Sequence, residues 1–338
     1  MKYCINRQIS SGSFGTIYEI LNEEDNKIYA LKELTNIDAV SKERFEREVK
    51  ILLGLDHPNI VKIFYWNVGG DAPKFAPYYI MEYLSGNSLK EYMFEKFDND
   101  EKYYFDINWT VKTIILPVCN ALALVHGSNV YHRDLKPSNI MFSDATRSTV
   151  KIADWGLVKI EDPFAAKDED SSAAPISITA TATPVTSTIT TDIDRKSLEL
   201  TAVVSEGNIG GTPDYCSPEQ WFATVDDNDK SIDGRADIFS LGIIFYEMLT
   251  RRRPPPYDPN KPHMSRKTVE PPSKYNPSIS PQLDQCILKM VDLSPDNRHQ
   301  SIWDLVSEIE TLSNYVTREM VKPNKQIKSS KFSNSAIR

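Results

Sequence analysis

The chain has 338 residues, 40% of them hydrophobic and 10% aromatic, which is enough apolar material for a sizeable core and a length that suggests about two domains. A net charge of −8 weighs against broad nucleic-acid binding, and Cys4, Cys119, Cys216 and Cys286, scattered with no C-x-x-C pair, indicate neither a zinc site nor a disulfide framework and fit a reducing cytoplasm. The N-terminus MKYCINRQIS lacks an apolar signal core, and the most apolar runs, TIILPVCNALALV and ADIFSLGIIFYEML, are short and broken by polar residues, so no transmembrane segment is expected.

The first fifty residues read as three strands and a helix. CINRQIS, GTIYEIL and KIYALKEL alternate apolar and polar positions, and SSGSFG joins the first two as a glycine-containing hairpin would. That loop reads equally as a tight turn or as a partial phosphate-binding pattern. A period of two puts Lys32 on the face of Ile28, Ala30 and Leu34, and helical spacing in RFEREVKILLGL puts Glu48 on the stripe of Phe45 and Leu52. Both charges thus fall on faces expected to be buried, where an unpaired charge is costly. Lys32 and Glu48 are expected to pair with each other or with a ligand, the alternative being two solvated surface charges. His57 and His126 lack metal-ligand spacing and are assigned to packing or loop hydrogen bonds. The tract SITATATPVTSTITT, Ser177 to Thr191, has the composition of a linker. RRRPPPYDP at 251–259 reads as a solvated loop, and the basic end REMVKPNKQIKSSKFSNSAIR as a solvated, disordered tail rather than a contact for an anionic surface.

Further along, VYHRDLKPSNIMF at 130–142 and KIADWGLVK at 151–159 join these features into an ordered set that resembles the eukaryotic-type (Hanks-type) serine/threonine protein kinase family. SSGSFGTIY is similar to its glycine-rich loop, YALK to the strand with the ATP-anchoring lysine, and FEREVKIL to the helix with the partner glutamate. HPNIV and YYIMEYLSGNSL resemble the approach to the hinge, HRDLKPSN the catalytic loop, and DWG the metal-binding triplet. GTPDYCSPEQW resembles the end of the activation segment, DIFSLG the buried central helix, and DNRHQS the closing arginine. HRDLKPSNIMF, SPEQ and the long activation segment look like both soluble bacterial-type members and translation-initiation-factor kinases; a chain that is one compact catalytic domain favours the bacterial type. The resemblance implies an α+β, bilobal fold: a small antiparallel β-sheet lobe with one main helix (about 1–82), a hinge (about 82–86) and a larger, mainly helical lobe (about 87–315). It makes the Ser/Thr-rich tract part of an insertion in the activation segment (about 161–206), expected to be disordered, and leaves 316–338 as a basic flexible tail.

The resemblance further implies ATP and Mg²⁺ as cofactors and protein serine or threonine hydroxyls as substrates. Lys32, oriented by Glu48, is expected on the α/β-phosphates, Asn139 and Asp154 on the metal, Asp134 as the base and Lys136 against the transferring phosphate. Ile9, Ser10, Gly12, Ser13, Phe14, Gly15, Ile17, Ala30, Met81, Glu82, Leu84 and Met141 are expected around the nucleotide. Ser10 stands where the first loop glycine is usual, and its side chain limits backbone approach. Trp155 replaces a phenylalanine and is expected in the apolar slot between His132 and Leu52; Glu219 of SPE is expected to pair with Arg298. Arg133 is expected to receive a phosphate on Ser205 or Thr201, the alternative partner being Glu206. A pseudokinase scaffold and a small-molecule kinase are the competing functions; the complete residue set weighs against the first and the GTPDYCSPEQ docking loop against the second.

Overall fold

The computed structural model describes residues 2–12, 15–68, 76–155, 159–160, 214–222, 232–255 and 269–320. Alternating sequence at the N-terminal end becomes a five-stranded antiparallel sheet in the order β1-β2-β3-β5-β4: β1 Tyr3–Gly12, β2 Gly15–Asn22, β3 Lys27–Glu33, β4 Ile63–Asn67 and β5 Tyr78–Glu82. One face packs Ala30, Tyr79 and Met81 against Phe45, Val49 and Leu52 of helix α1 (Ala39–Leu53). The other face closes over its own side chains, Tyr3, Ile20, Leu31, Tyr78 and Ile80. Helix α1 starts where the Asp38 side chain accepts the Ser41 N–H at 2.7 Å and stops at Gly54. The expected face of β3 is buried at Ala30, Lys32 and Leu34, whereas Ile28 is 45% exposed. Ile28 pairs with Leu21, one residue pair from the β2–β3 turn, where the sheet ends.

The rest of the chain is mainly helical. Helix α2 (Leu89–Asn99) opens with a capping box, Ser88 and Glu91 satisfying each other's backbone N–H groups. Helices α3 (Ile107–Trp109) and α4 (Leu116–His126) are joined end to end by a π-helical turn, Thr110–Ile115. Pro117 lies just past that turn, and its missing N–H and its ring disfavour regular α-helical bonding to the preceding turn. The joined helix, Ile107–His126, is therefore longer than the apolar run alone implied, and by length and hydropathy could cross a membrane. Six of its apolar side chains, Ile114, Ile115, Val118, Ala121, Leu122 and Val125, are fully buried in the main core, while Leu124 is 43% exposed.

Four short strands follow: β6 Val130–Tyr131, β7 Ile140–Phe142, β8 Val150–Ile152 and β9 Lys159–Ile160, paired β6 with β9 and β7 with β8. Helix α5 (Pro218–Phe222) precedes α6 (Gly234–Thr250), which is buried along fourteen of its residues because it is apolar on every side. Helices α7 (Pro281–Met290) and α8 (Ile302–Met320) pack around it. Helix α8 runs five residues beyond the boundary that composition set at 315, since Arg318, Glu319 and Met320 are good helix formers. The insertion at 161–206 and the tail from 321 onward lie outside the described residues. The three arginines of RRRPPPYDP are not merely solvated. Arg251 donates to the carbonyls of Phe97 and Asp100, Arg252 lies over Tyr275, and Arg253 pairs with Asp214 and Glu247. Each stays because its planar guanidinium finds carbonyls, a carboxylate or a ring face within reach.

The sheet lobe and the helical lobe share a hydrogen-bonded strip as well as the hinge. Val61 N donates to Ile152 O at 3.0 Å, Ile152 N to Asn59 O at 2.8 Å, and the Asn59 amide to Val150 O at 2.7 Å. His57 Nδ1 accepts the Asn59 N–H at 3.1 Å, a loop hydrogen bond as expected for that residue.

Candidate active site

Register places Lys32 of β3 opposite Tyr79 of β5, and both face α1. There the Lys32 ammonium donates to both Glu48 oxygens at 2.9 and 3.0 Å, and reaches Asp154 at 3.2 Å. Tyr79, which sequence reasoning passed over, donates its hydroxyl to Glu48 at 2.8 Å, so this buried carboxylate accepts three hydrogen bonds. The signal for it was present: in YYIME a period of two puts Tyr79 on the face of Met81. Burial alone would lower the Lys32 pKa, but the Glu48 carboxylate, with Tyr79 and Asp154, holds it well above the ordinary range. Lys32 in turn depresses the Asp154 carboxyl. Lys32 and Asp154 are therefore both charged at neutral pH.

The segment 132–139 supplies the second group. Lys136 donates to Asp134 at 2.6 Å, and the Asn139 amide donates to the Asp134 carbonyl at 2.9 Å. Ala153 N donates to the Asn139 carbonyl at 2.8 Å, which puts Asp154 beside Asn139. Asp154 and Arg133 both adopt positive φ, 60° and 64°. Trp155 is fully buried with its ring edge-on to His132 at 4.8 Å, in the slot expected of it and in one core with Leu52. The backbone of 132–133 hangs on Asp237 of α6, whose two oxygens accept the N–H groups of His132 and Arg133 at 2.9 and 2.7 Å and contact His126 at 2.8 Å. Sequence reasoning missed Asp237, although a lone acid in the apolar run ADIFSLGIIF marks it. Arg298 is bidentate to Glu219 at 2.6 and 2.9 Å, as expected of that pair.

Around the space beside Lys32, the pairs Ser10–Ile17, Ile17–Lys32 and Ala30–Met81 bring one set of expected residues together. Met141 bridges to Ser88, and Ser85 N bonds Ser143 O, so β7 lies along the chain that follows Leu84. Ile9 is 42% exposed on β1, and Ser13 and Phe14 lie outside the described residues. The Glu82 side chain is turned away to Lys62 N at 2.8 Å and Lys151 at 2.9 Å, and its backbone N–H donates to the Lys62 carbonyl at 3.0 Å. A Cβ on Gly12 would meet nothing within 4 Å among the described residues, so there is room for phosphate beside that backbone. The Asn139 amide oxygen and the Asp154 carboxylate are hard oxygen donors of the kind Mg²⁺ takes. Donor chemistry and open space fit a metal–nucleotide pair.

A two-lobed fold with a buried Lys–Glu pair, a positive-φ aspartate beside it and an aspartate–lysine–asparagine loop below defines a phosphotransfer enzyme class. The chain belongs to the protein kinase domain family, whose model matches residues 3–172, half of the chain. It is similar to the serine/threonine-protein kinase PknD of Chlamydia trachomatis, 29% identical over 313 residues, or 90% of this chain and 31% of that protein. It is also similar to the serine/threonine-protein kinase pkn3 of Myxococcus xanthus, 26% identical over 97% of this chain and 53% of that protein, and to a probable serine/threonine-protein kinase of Corynebacterium efficiens, 29% identical over 94% and 42%. The chain thus spans about a third to a half of the length of these curated relatives.

Proposed function

We propose that the chain is an ATP-dependent serine/threonine protein kinase that transfers the γ-phosphoryl group to protein hydroxyls and phosphorylates itself. The observation that carries this is the convergence of Lys32, Glu48 and Asp154 at 2.9–3.2 Å with Asp134, Lys136 and Asn139 on the adjoining loop. Lys32, held charged and aimed by Glu48, binds the α/β-phosphates. Asn139 and Asp154 hold Mg²⁺, which neutralises phosphate charge when bound. Asp134 receives the hydroxyl proton, and Lys136, 2.6 Å from it, faces the charge that spreads over the transferring oxygens. The backbone of Glu82–Leu84, with Ala30, Ile17 and Met141, takes the base of the nucleotide. Lys136 in HRDLKPSN supports serine/threonine rather than tyrosine as acceptor. Four free cysteines, three of them buried, support a reducing, cytoplasmic setting.

Purified protein incubated with Mg²⁺ and ATP should phosphorylate itself or a generic basic protein, with phosphate recovered on serine and threonine. Lys32→Met and Asp134→Asn should each lose about a hundredfold or more in rate while still folding. Activity that survives both substitutions would sink the assignment.

A further inference from the structure

The peptide unit between Arg133 and Asp134 sits directly before the proposed base, and both its ends are held. Its N–H, on Asp134, donates to His132 Nδ1 at 3.3 Å, near the limit of a useful bond. Its carbonyl, on Arg133, accepts from the Gln220 side-chain amide at 2.7 Å. Because the peptide is planar, the shorter bond sets the orientation of the whole unit, and with it the backbone from which the Asp134 side chain projects. Arg133 carries φ 64°, a conformation that a non-glycine residue holds only when its surroundings over-determine it. Asp237 fixes the N–H side of Arg133 at 2.7 Å, and Gln220 fixes the carbonyl side.

Gln220 is 5% exposed and lies in the described stretch that closes the activation segment. The other end of its amide accepts from Ser217 N at 3.1 Å and Ser217 Oγ at 2.9 Å. The amide orientation is settled by these partners: backbone N–H must meet the oxygen, and a carbonyl must meet the NH₂. One side chain therefore bridges the activation segment and the catalytic loop, as acceptor at one end and donor at the other. An ionised glutamate could serve Ser217 but not Arg133, and methionine could serve neither.

We propose that Gln220 is a positioning residue for phosphoryl transfer, transmitting the order of residues 214–222 to the peptide that aims Asp134. The proposal rests on the reading of Asp134 as the base. Its test compares the full chain with Gln220→Met and Gln220→Glu in steady-state kinetics across pH, in thermal melting, and in hydrogen exchange of the amides at 132–135 without nucleotide. Gln220→Met should lower kcat by about tenfold to a hundredfold, leave KM for ATP within about threefold, and speed exchange in the loop. In Gln220→Glu the introduced carboxyl can donate to Arg133 when protonated and repels that carbonyl when ionised, so its kcat relative to wild type should fall as pH rises. A merely structural role would move the melting temperature and not this ratio. The proposal is overturned if Gln220→Met keeps kcat within about twofold and the loop amides stay as protected as in wild type, or if kcat, KM and melting all decline together with no pH-dependent ratio in Gln220→Glu. Wild-type protein that transfers no phosphate, yet shows the exchange difference, would refute the kinase reading and leave the Gln220 linkage standing.

Discussion

Arg298 shows how much one side chain can hold. Its guanidinium donates to both Glu219 oxygens and to the carbonyls of Asp292, Leu293 and Arg235, and lies 4.7 Å from the Phe239 ring centroid, with its side chain wholly buried. Lysine has three donors on a point charge and cannot reproduce that planar fork. Arg298→Lys should therefore cost about 2–4 kcal/mol, read as a shifted midpoint in denaturant unfolding at unchanged slope. The Glu219 pair was legible through the resemblance carried by SPE and DNRHQS; periodicity placed Lys32 and Glu48 on faces assigned to the core but left open whether they met each other, a ligand or solvent. Local pattern marks Tyr79 and Asp237 as polar groups on buried faces and does not mark Gln220, and for all three it is silent on the partner, which lies 31 to 105 residues away.

At the scale of elements, strands β1 to β3 and helix α1 formed where periodicity put them, although β1 is exposed along most of its length, and the β1–β2 turn depends on its glycines for two different reasons. Gly15 has φ 141°, and a Cβ there would lie 2.4 Å from the Glu33 carbonyl of β3. A Cβ on Gly12 meets open space among the described residues. Gly15→Ala should cost about 1–3 kcal/mol of stability in thermal melting. Gly12→Ala should melt like the parent and instead weaken nucleotide binding in titration calorimetry, as expected if that space is for phosphate. The π-helical turn and the extension of α3–α4 were not legible: an apolar run with a proline in it reads as a broken helix, yet packing on both sides of Pro117 restores it.

For the molecule as a whole, the fully buried Asp237 ties the central helix to the catalytic loop, and it should appear in acid unfolding. Burial raises its carboxyl, but the His126 ring and the backbone N–H of Arg133 outweigh that and set it below the ordinary value of 3.8. The stability it contributes is complete above that value and is lost as pH falls through the lower folded value. Asp237→Asn should cost about 2–4 kcal/mol at neutral pH and show a flatter loss of stability in acid than the parent, measured by denaturant midpoints from pH 2 to 7. The strip at 57–61 has a mechanical consequence. Bonded to β8, it ties the chain just beyond α1 to the helical lobe, whereas Lys32 and Tyr79 hold Glu48 on the sheet. Only six residues, about 9 Å of helix, separate Glu48 from Gly54, so a force that tilts one lobe against the other loads that short span of α1.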